Sequence, residues 1–242
     1  MPERAMASYL RTLRTLRTHP GPGPAPLPLE ACARSLGLDG LALLLAPGGN
    51  NPELVQSFGE RTTALEDLQL TQGQGPSLDA ARHGMVLLLP DLADTSAFAP
   101  TRWPGLPGGV GDLGVRAMFT FPLRIGVIAM GALTGHRTRP GPLSHDQLAE
   151  AFGLADTLTQ IVIGRAARPP EPSCLLVDEP GWEFAEVHQA TGLLSAQLGI
   201  TCAQALRQLR GHAYSHDRPL LATARDVLAY QLRLDDPDKR WP

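Results

Sequence analysis

The chain has 242 residues, 43% of them hydrophobic, and a formal net charge of -3. That length gives room for one large or two modest domains, and the charge argues against a general nucleic-acid or membrane coat. One lysine, Lys239, stands among 21 basic residues, and the three cysteines, Cys32, Cys174 and Cys202, are scattered and odd in number, which points to a reducing cytoplasm without a disulfide framework. No apolar run approaches membrane-spanning length, and the N-terminus shows no signal-peptide pattern.

Residues 1–28 are read as an N-terminal segment and linker. Leu10, Leu13 and Leu16 alternate with Arg11, Arg14 and Arg17 every three residues, consistent with a short amphipathic helix, and the Pro/Gly run over 20–28 is a linker. From Leu29 the pattern changes. Residues 29–36 predict a helix stopped by Gly37, 41–45 a buried strand, 47–52 a turn and 54–58 its partner strand. Gly73-Gln74-Gly75-Pro76 opens a helix, and 86–89 is another strand. Residues 93–113 read as a Pro/Gly-rich loop. Two strands over 117–122 and 126–134, joined at Arg124-Ile125-Gly126, form a hairpin. Ser144 and Gln147 form a capping box opening a helix over 146–165, with Leu148, Phe152, Ala155, Leu158 and Val162 on one face. Strands mixed with flanking helices in this order predict an α+β domain on an antiparallel sheet.

The proline cluster of Arg168-Pro169-Pro170-Glu171-Pro172 breaks any continuous helix, so 167–182 is read as a jointed linker. Three helical patterns then fill 183–235. Phe184, Val187, Thr191, Leu194 and Leu198 share one face of the first, and Gly199 ends it. Thr201 and Gln204 form a capping box for the second, whose apolar face is Leu206, Leu209 and Ala213. Asp217, as a cap, and Pro219 mark the start of the third, with Ala224, Val227, Leu228 and Leu232 as its stripe. Short amphipathic helices of this kind bury their faces by packing together, giving an all-α three-helix unit. Residues 236–242 form a tail.

Two resemblances follow from these residues. His188-Gln189-Ala190-Thr191-Gly192-Leu193-Leu194, then Ala205-Leu206 through Arg210 and Ala213, then Arg218-Pro219-Leu220 with Ala224, resemble an ANTAR domain. That family's three helices bind RNA and act in transcription antitermination. Many relatives carry a lysine where Thr191 stands. Over 29–166, Gly73-Gln74-Gly75-Pro76, Asp79-Ala80, Pro90-Asp91-Leu92, Arg102-Trp103-Pro104, Gly114-Val115-Arg116-Ala117, Phe121-Pro122-Leu123 and Pro142-Leu143-Ser144 resemble the GAF domain that precedes ANTAR in actinobacterial regulators. GAF domains are small-molecule sensors and dimerisation modules. The resemblance therefore implies a cytoplasmic, homodimeric regulator that senses an unknown small molecule and binds hairpin loops of nascent transcripts. A pocket against the sheet, lined from 117–121, 127–133 and the 93–113 loop, is the expected ligand site.

Between 183 and 235 there are five acids and five arginines, Arg207, Arg210, Arg218, Arg225 and Arg233, so the three-helix unit is neutral. RNA binding there rests on local placement. The expected contacts are Arg207 and Arg210 on the second helix, Tyr214 stacking on a base, Arg218 in the following turn, and Gln189 and Thr191 from the first helix. The rival reading is a ligand-sensing or protein-interaction module whose three helices dimerise without binding RNA. Other motifs carry less. Gly109-x-Gly111-x-x-Gly114 matches a dinucleotide fingerprint as a string but follows a loop rather than a strand. His212 and His216 have metal-ligand spacing without a third ligand, and Cys32 has no redox partner. No cofactor or metal is expected, and nothing in the residues argues for an enzyme.

Overall fold

A computed structural model describes residues 28–46, 52–94, 102–166 and 185–234. The expected N-terminal amphipathic helix, the 47–51 turn, the 167–182 linker and the tail lie outside these residues. The elements, in order, are α1 (Leu29–Leu36), β1 (Gly40–Leu45), β2 (Glu53–Phe58), α2 (Glu60–Gln72), α3 (Pro76–His83), β3 (Leu87–Leu89), α4 (Leu106–Asp112), β4 (Ala117–Ile125), β5 (Ile128–Arg137), α5 (His145–Ala166), α6 (Ala185–Leu198), α7 (Cys202–Ser215) and α8 (Leu220–Leu228).

The five strands form one antiparallel sheet in the order β2-β1-β5-β4-β3. Side chains alternate across it, as the pleat requires. Leu41, Leu43, Phe119, Phe121, Leu123 and Leu133 point to one face and pack with Leu29, Ala33 and Leu36 of α1 and Ala151, Leu154 and Leu158 of α5. Ala42 and Leu44 point to the other face, which α2 and α3 cover with Leu70 and Leu78. Gly37 ends α1 in the left-handed conformation, and Ser144 and Gln147 exchange both capping-box hydrogen bonds at the start of α5, as the sequence predicts.

Three features differ from the sequence expectation. Residues 60–72, unassigned from sequence, form helix α2. Its interior-facing side is polar: Thr62, Glu66, Asp67 and Gln69 are buried alongside Leu65 and Leu70, so no apolar stripe marks it. Part of the expected 93–113 loop is the short helix α4, whose Gly109 sits directly against Leu68 of α2, where a Cβ would lie 2.7 Å from a Leu68 methyl. Close helix approach thus accounts for a glycine of the fingerprint-like string. The β4–β5 hairpin is longer than predicted and turns at Gly126 and Val127; Val127 is 100% exposed and Ile128 64%, so these two project from the hairpin tip rather than line a pocket. Phe119 and Phe121 fill the α1/α5 core, and Met118 packs with Leu65, Trp103, Leu106 and Val110.

The α2–α3 layer is held by a buried polar cluster. The Ser77 hydroxyl donates to Glu66 at 2.9 Å, Gln69 Nε2 donates to the other Glu66 oxygen at 3.2 Å, and the Ser77 backbone N–H donates to Gln69 Oε1 at 2.9 Å. Burial pushes the Glu66 carboxyl up to about 8, only partly offset by the Ser77 hydrogen bond.

Candidate nucleic-acid interface

The three C-terminal helices pack around Val187, Ala190 and Leu194 of α6, Ala205, Leu209 and Ala213 of α7, and Leu220, Ala224 and Val227 of α8. The small residues at the crossings let the helices approach closely. The α7 capping box forms as the sequence predicts, with Gln204 N–H donating to Thr201 Oγ1 at 3.2 Å and Thr201 N–H donating to Gln204 Oε1 at 2.9 Å. Arg225 of α8 is paired with Glu186 of α6 at 3.0 Å.

The start of α8 corrects the sequence reading. Asp217, expected as the cap, instead takes a left-handed turn conformation at φ 50°, and Pro219 occupies the cap position. The first N–H groups of α8 find their acceptor far away in sequence. Leu220 N–H and Leu221 N–H donate to the two oxygens of Asp67, on α2, each at 3.1 Å. The Asp67 residue is 7% exposed. Burial pushes its carboxyl up to about 6, against the downward pull of the two backbone donors. A carboxylate at a helix N-terminus satisfies orphan donors and complements the helix dipole.

Around this clasp the two halves share one apolar cluster: Ala42, Leu44, Leu54, Leu70 and Leu78 of the sheet layer join the three-helix core. A second polar contact lies beside it. His188 Nε2 on α6 is 3.3 Å from Glu53 Oε2 on β2, and Arg210 of α7 faces the same carboxylate. Burial and the neighbouring Arg82 guanidinium lower Arg210 to about 10, Glu53 opposing them, and its buried Nε has no hydrogen-bond partner among the described residues.

The six residues singled out from sequence therefore occupy different surroundings. Arg207 and Tyr214 are exposed on α7, seven positions apart and so on one face, with exposed Gly211 between them. A Cβ on Gly211 would meet nothing within 4 Å, so the helix surface there is open. Among the described residues no ion pair engages Arg207, which with Ile200, Gln204 and Gln208 lines a shallow depression of about 310 Å³. Gln189 is exposed on α6. Arg218 is bound to Asp226 at 2.6 Å. Arg210 is turned toward the sheet layer. Thr191 is 7% exposed, and its hydroxyl donates to the Val187 carbonyl at 2.6 Å, so it serves the helix interior. Glu53 and Asp67, which contact the three-helix unit from outside it, are not singled out by the sequence; for Asp67 the unassigned 60–72 stretch is the available signal.

This geometry defines an α+β fold carrying a three-helix unit. Residues 184–228 match the ANTAR domain family. The preceding region has the GAF fold: the GAF domain of an Acinetobacter phosphoenolpyruvate-protein phosphotransferase aligns with a TM-score of 0.52 at 14% identity, covering 71% of this chain and 100% of that one. The GAF domain of a Coxiella burnetii phosphoenolpyruvate-protein phosphotransferase aligns with a TM-score of 0.49 at 17% identity, covering 67% and 96% of the two chains. The free methionine-R-sulfoxide reductase of Neisseria meningitidis, solved with its substrate, aligns with a TM-score of 0.49 at 11% identity, covering 69% and 93%. No curated protein matches the chain. The architecture is thus a GAF fold followed by an ANTAR domain. An ANTAR domain implies an RNA-binding antitermination regulator. Among the described residues no helix is long and apolar enough to cross a membrane.

Proposed function

We propose that this chain is a cytoplasmic, homodimeric transcription regulator whose ANTAR domain binds RNA hairpins in nascent transcripts and favours antitermination. Residues 29–166 form the GAF sensor for a small molecule, 167–182 the linker, and 183–235 the RNA-binding domain. The observation that carries this reading is the outer face of α7. Arg207 supplies an exposed guanidinium with no ion pair among the described residues, Tyr214 an exposed ring, and Gly211 an open floor between them. This is the equipment that single-stranded loops need: a cation for phosphate, a platform for a base and polar groups such as Gln189 and Gln208 for base edges. The neutral charge of the domain supports readout of loop shape over general electrostatic attraction.

The test is fluorescence anisotropy of the full chain against a library of two-stem-loop RNAs with randomised loops, at several salt concentrations. The reading expects binding to a subset of loops, with Arg207→Ala lowering affinity and reducing the salt slope by about one. Absence of binding at low salt would replace it with the protein-interaction reading.

A further inference from the structure

Two carboxylates of the GAF half are aimed at the donor groups of the ANTAR half. Asp67 takes the first two N–H groups of α8, and Glu53 stands against His188 and Arg210. Helix N-termini and guanidinium groups are the features that bind phosphate oxygens. We propose that Glu53 and Asp67 act as an intramolecular substitute for RNA phosphate, holding the ANTAR helices in an autoinhibited arrangement on the GAF sheet layer. This rests on the RNA-binding reading above.

Three independent observations support the device. The contacts join separate elements of the GAF half, β2 and α2, to all three ANTAR helices, so they fix its orientation rather than tether a single point. They sit on an apolar seam of Leu44, Leu54, Leu70 and Leu78 against the three-helix core. The docked state also removes one cation from use: Arg210 is turned inward beside Glu53, while Arg207 stays exposed and Arg218 and Arg225 keep pairs internal to the ANTAR half, which docking does not change. Phosphate affinity scales with the number of available cations, so the docked form binds RNA weakly and release strengthens it. The lever is α2. The same helix carries Asp67 to α8, Leu70 to the seam, and Glu66 and Gln69 into the cluster that ties it to Ser77 of α3. A change in the GAF interior that shifts α2 therefore moves the clasp with it.

The experiment compares full-length parent, Glu53→Gln, Asp67→Asn and the double variant. Hydrogen exchange at the Leu220 and Leu221 amides reports docking, and anisotropy with the two-stem-loop RNA library reports binding. Near-isosteric neutral variants preserve the apolar seam, and thermal melts identify any variant that fails to fold; Glu53→Gln alone, on β2, leaves the α8 cap intact and serves as the second probe. The expected result is faster exchange at Leu220 and Leu221 in the Asp67 variants and about tenfold tighter RNA binding in the double variant. A parent that binds RNA as tightly as the folded double variant overturns the autoinhibition alone. If no protein binds RNA, with exchange still accelerated, the RNA reading falls and this inference with it.

Discussion

Gly40 and Thr62 approach so closely that a Cβ at position 40 would lie 1.9 Å from the Thr62 hydroxyl oxygen, 2.4 Å from the His136 ring and 2.8 Å from the Phe58 carbonyl. The contact seats the first turn of α2 on the edge of β1, where Thr62 also donates to Phe58 O at 2.6 Å. A backbone carbonyl has nowhere to move. Gly40→Ala is expected to cost about 2–3 kcal/mol through overpacking, read as a fall in the denaturant midpoint. An unchanged midpoint would mean that α2 is not pinned at this end.

The buried Glu66 makes a pH prediction. Its native carboxyl is raised to about 8 from an ordinary value of 4.5, so the native state holds a proton that the unfolded chain has already released. Its contribution to stability is fully present below about 4.5 and is lost as pH rises through 8, with a slope of at most about 1.4 kcal/mol per pH unit. Glu66→Gln is expected to flatten this decline between pH 5 and 8, as measured by urea unfolding across that range, and to be more stable than the parent at about pH 8. Equal slopes for the two proteins would show that Glu66 is ionised inside the fold.

On α7, Gly211 separates stability from binding. It lies in an exposed helix interior with open space around it, so Gly211→Ala is expected to raise stability by about 0.5–1 kcal/mol. If a base lies across this floor between Arg207 and Tyr214, the same methyl weakens RNA binding. Thermal melts and anisotropy on one protein sample check both signs, and tighter or unchanged RNA binding would move the RNA site off this face.

The arginines are not equivalent. Arg218 is held by Asp226 at 2.6 Å, whereas Arg207 has no ion pair among the described residues. Arg207→Ala is expected to weaken RNA binding more than Arg218→Ala, and Tyr214→Ala to cost about 1–3 kcal/mol of binding if its ring stacks on a base. Leu209, fully buried in the three-helix core, is the control, since Leu209→Ala is expected to unfold the domain by loss of about 2–5 kcal/mol. The reverse order for the two arginines would place the phosphate contact at the α7–α8 turn.

Much of this fold is legible in the sequence where local chemistry and tertiary packing agree. The strands read as short apolar runs, Gly37 ends α1, and both capping boxes form, because each signal needs only neighbours in the chain. The helix that joins the two halves is invisible for the opposite reason. Glu66, Asp67 and Gln69 are polar residues buried by partners on α3 and α8, so α2 shows no apolar period. Asp217 has the spacing of a cap, but Asp67, 153 positions before Leu220, takes the role, and no local rule reports that. For the site, exposure of Arg207 and Tyr214 fits an outward helix face, while the inward turn of Arg210 depends on Glu53, an acid on a distant strand.

The ANTAR helices of this chain are expected to engage RNA in the cell. Crosslinking the full chain to RNA in its host, followed by sequencing of the bound transcripts, is the measurement that decides it. The expected result is enrichment of leader regions that carry paired stem-loops overlapping a terminator, and loss of that enrichment in the Arg207→Ala, Tyr214→Ala double variant. Recovery of no RNA above background, or of the same RNA from the parent and the double variant, would contradict it.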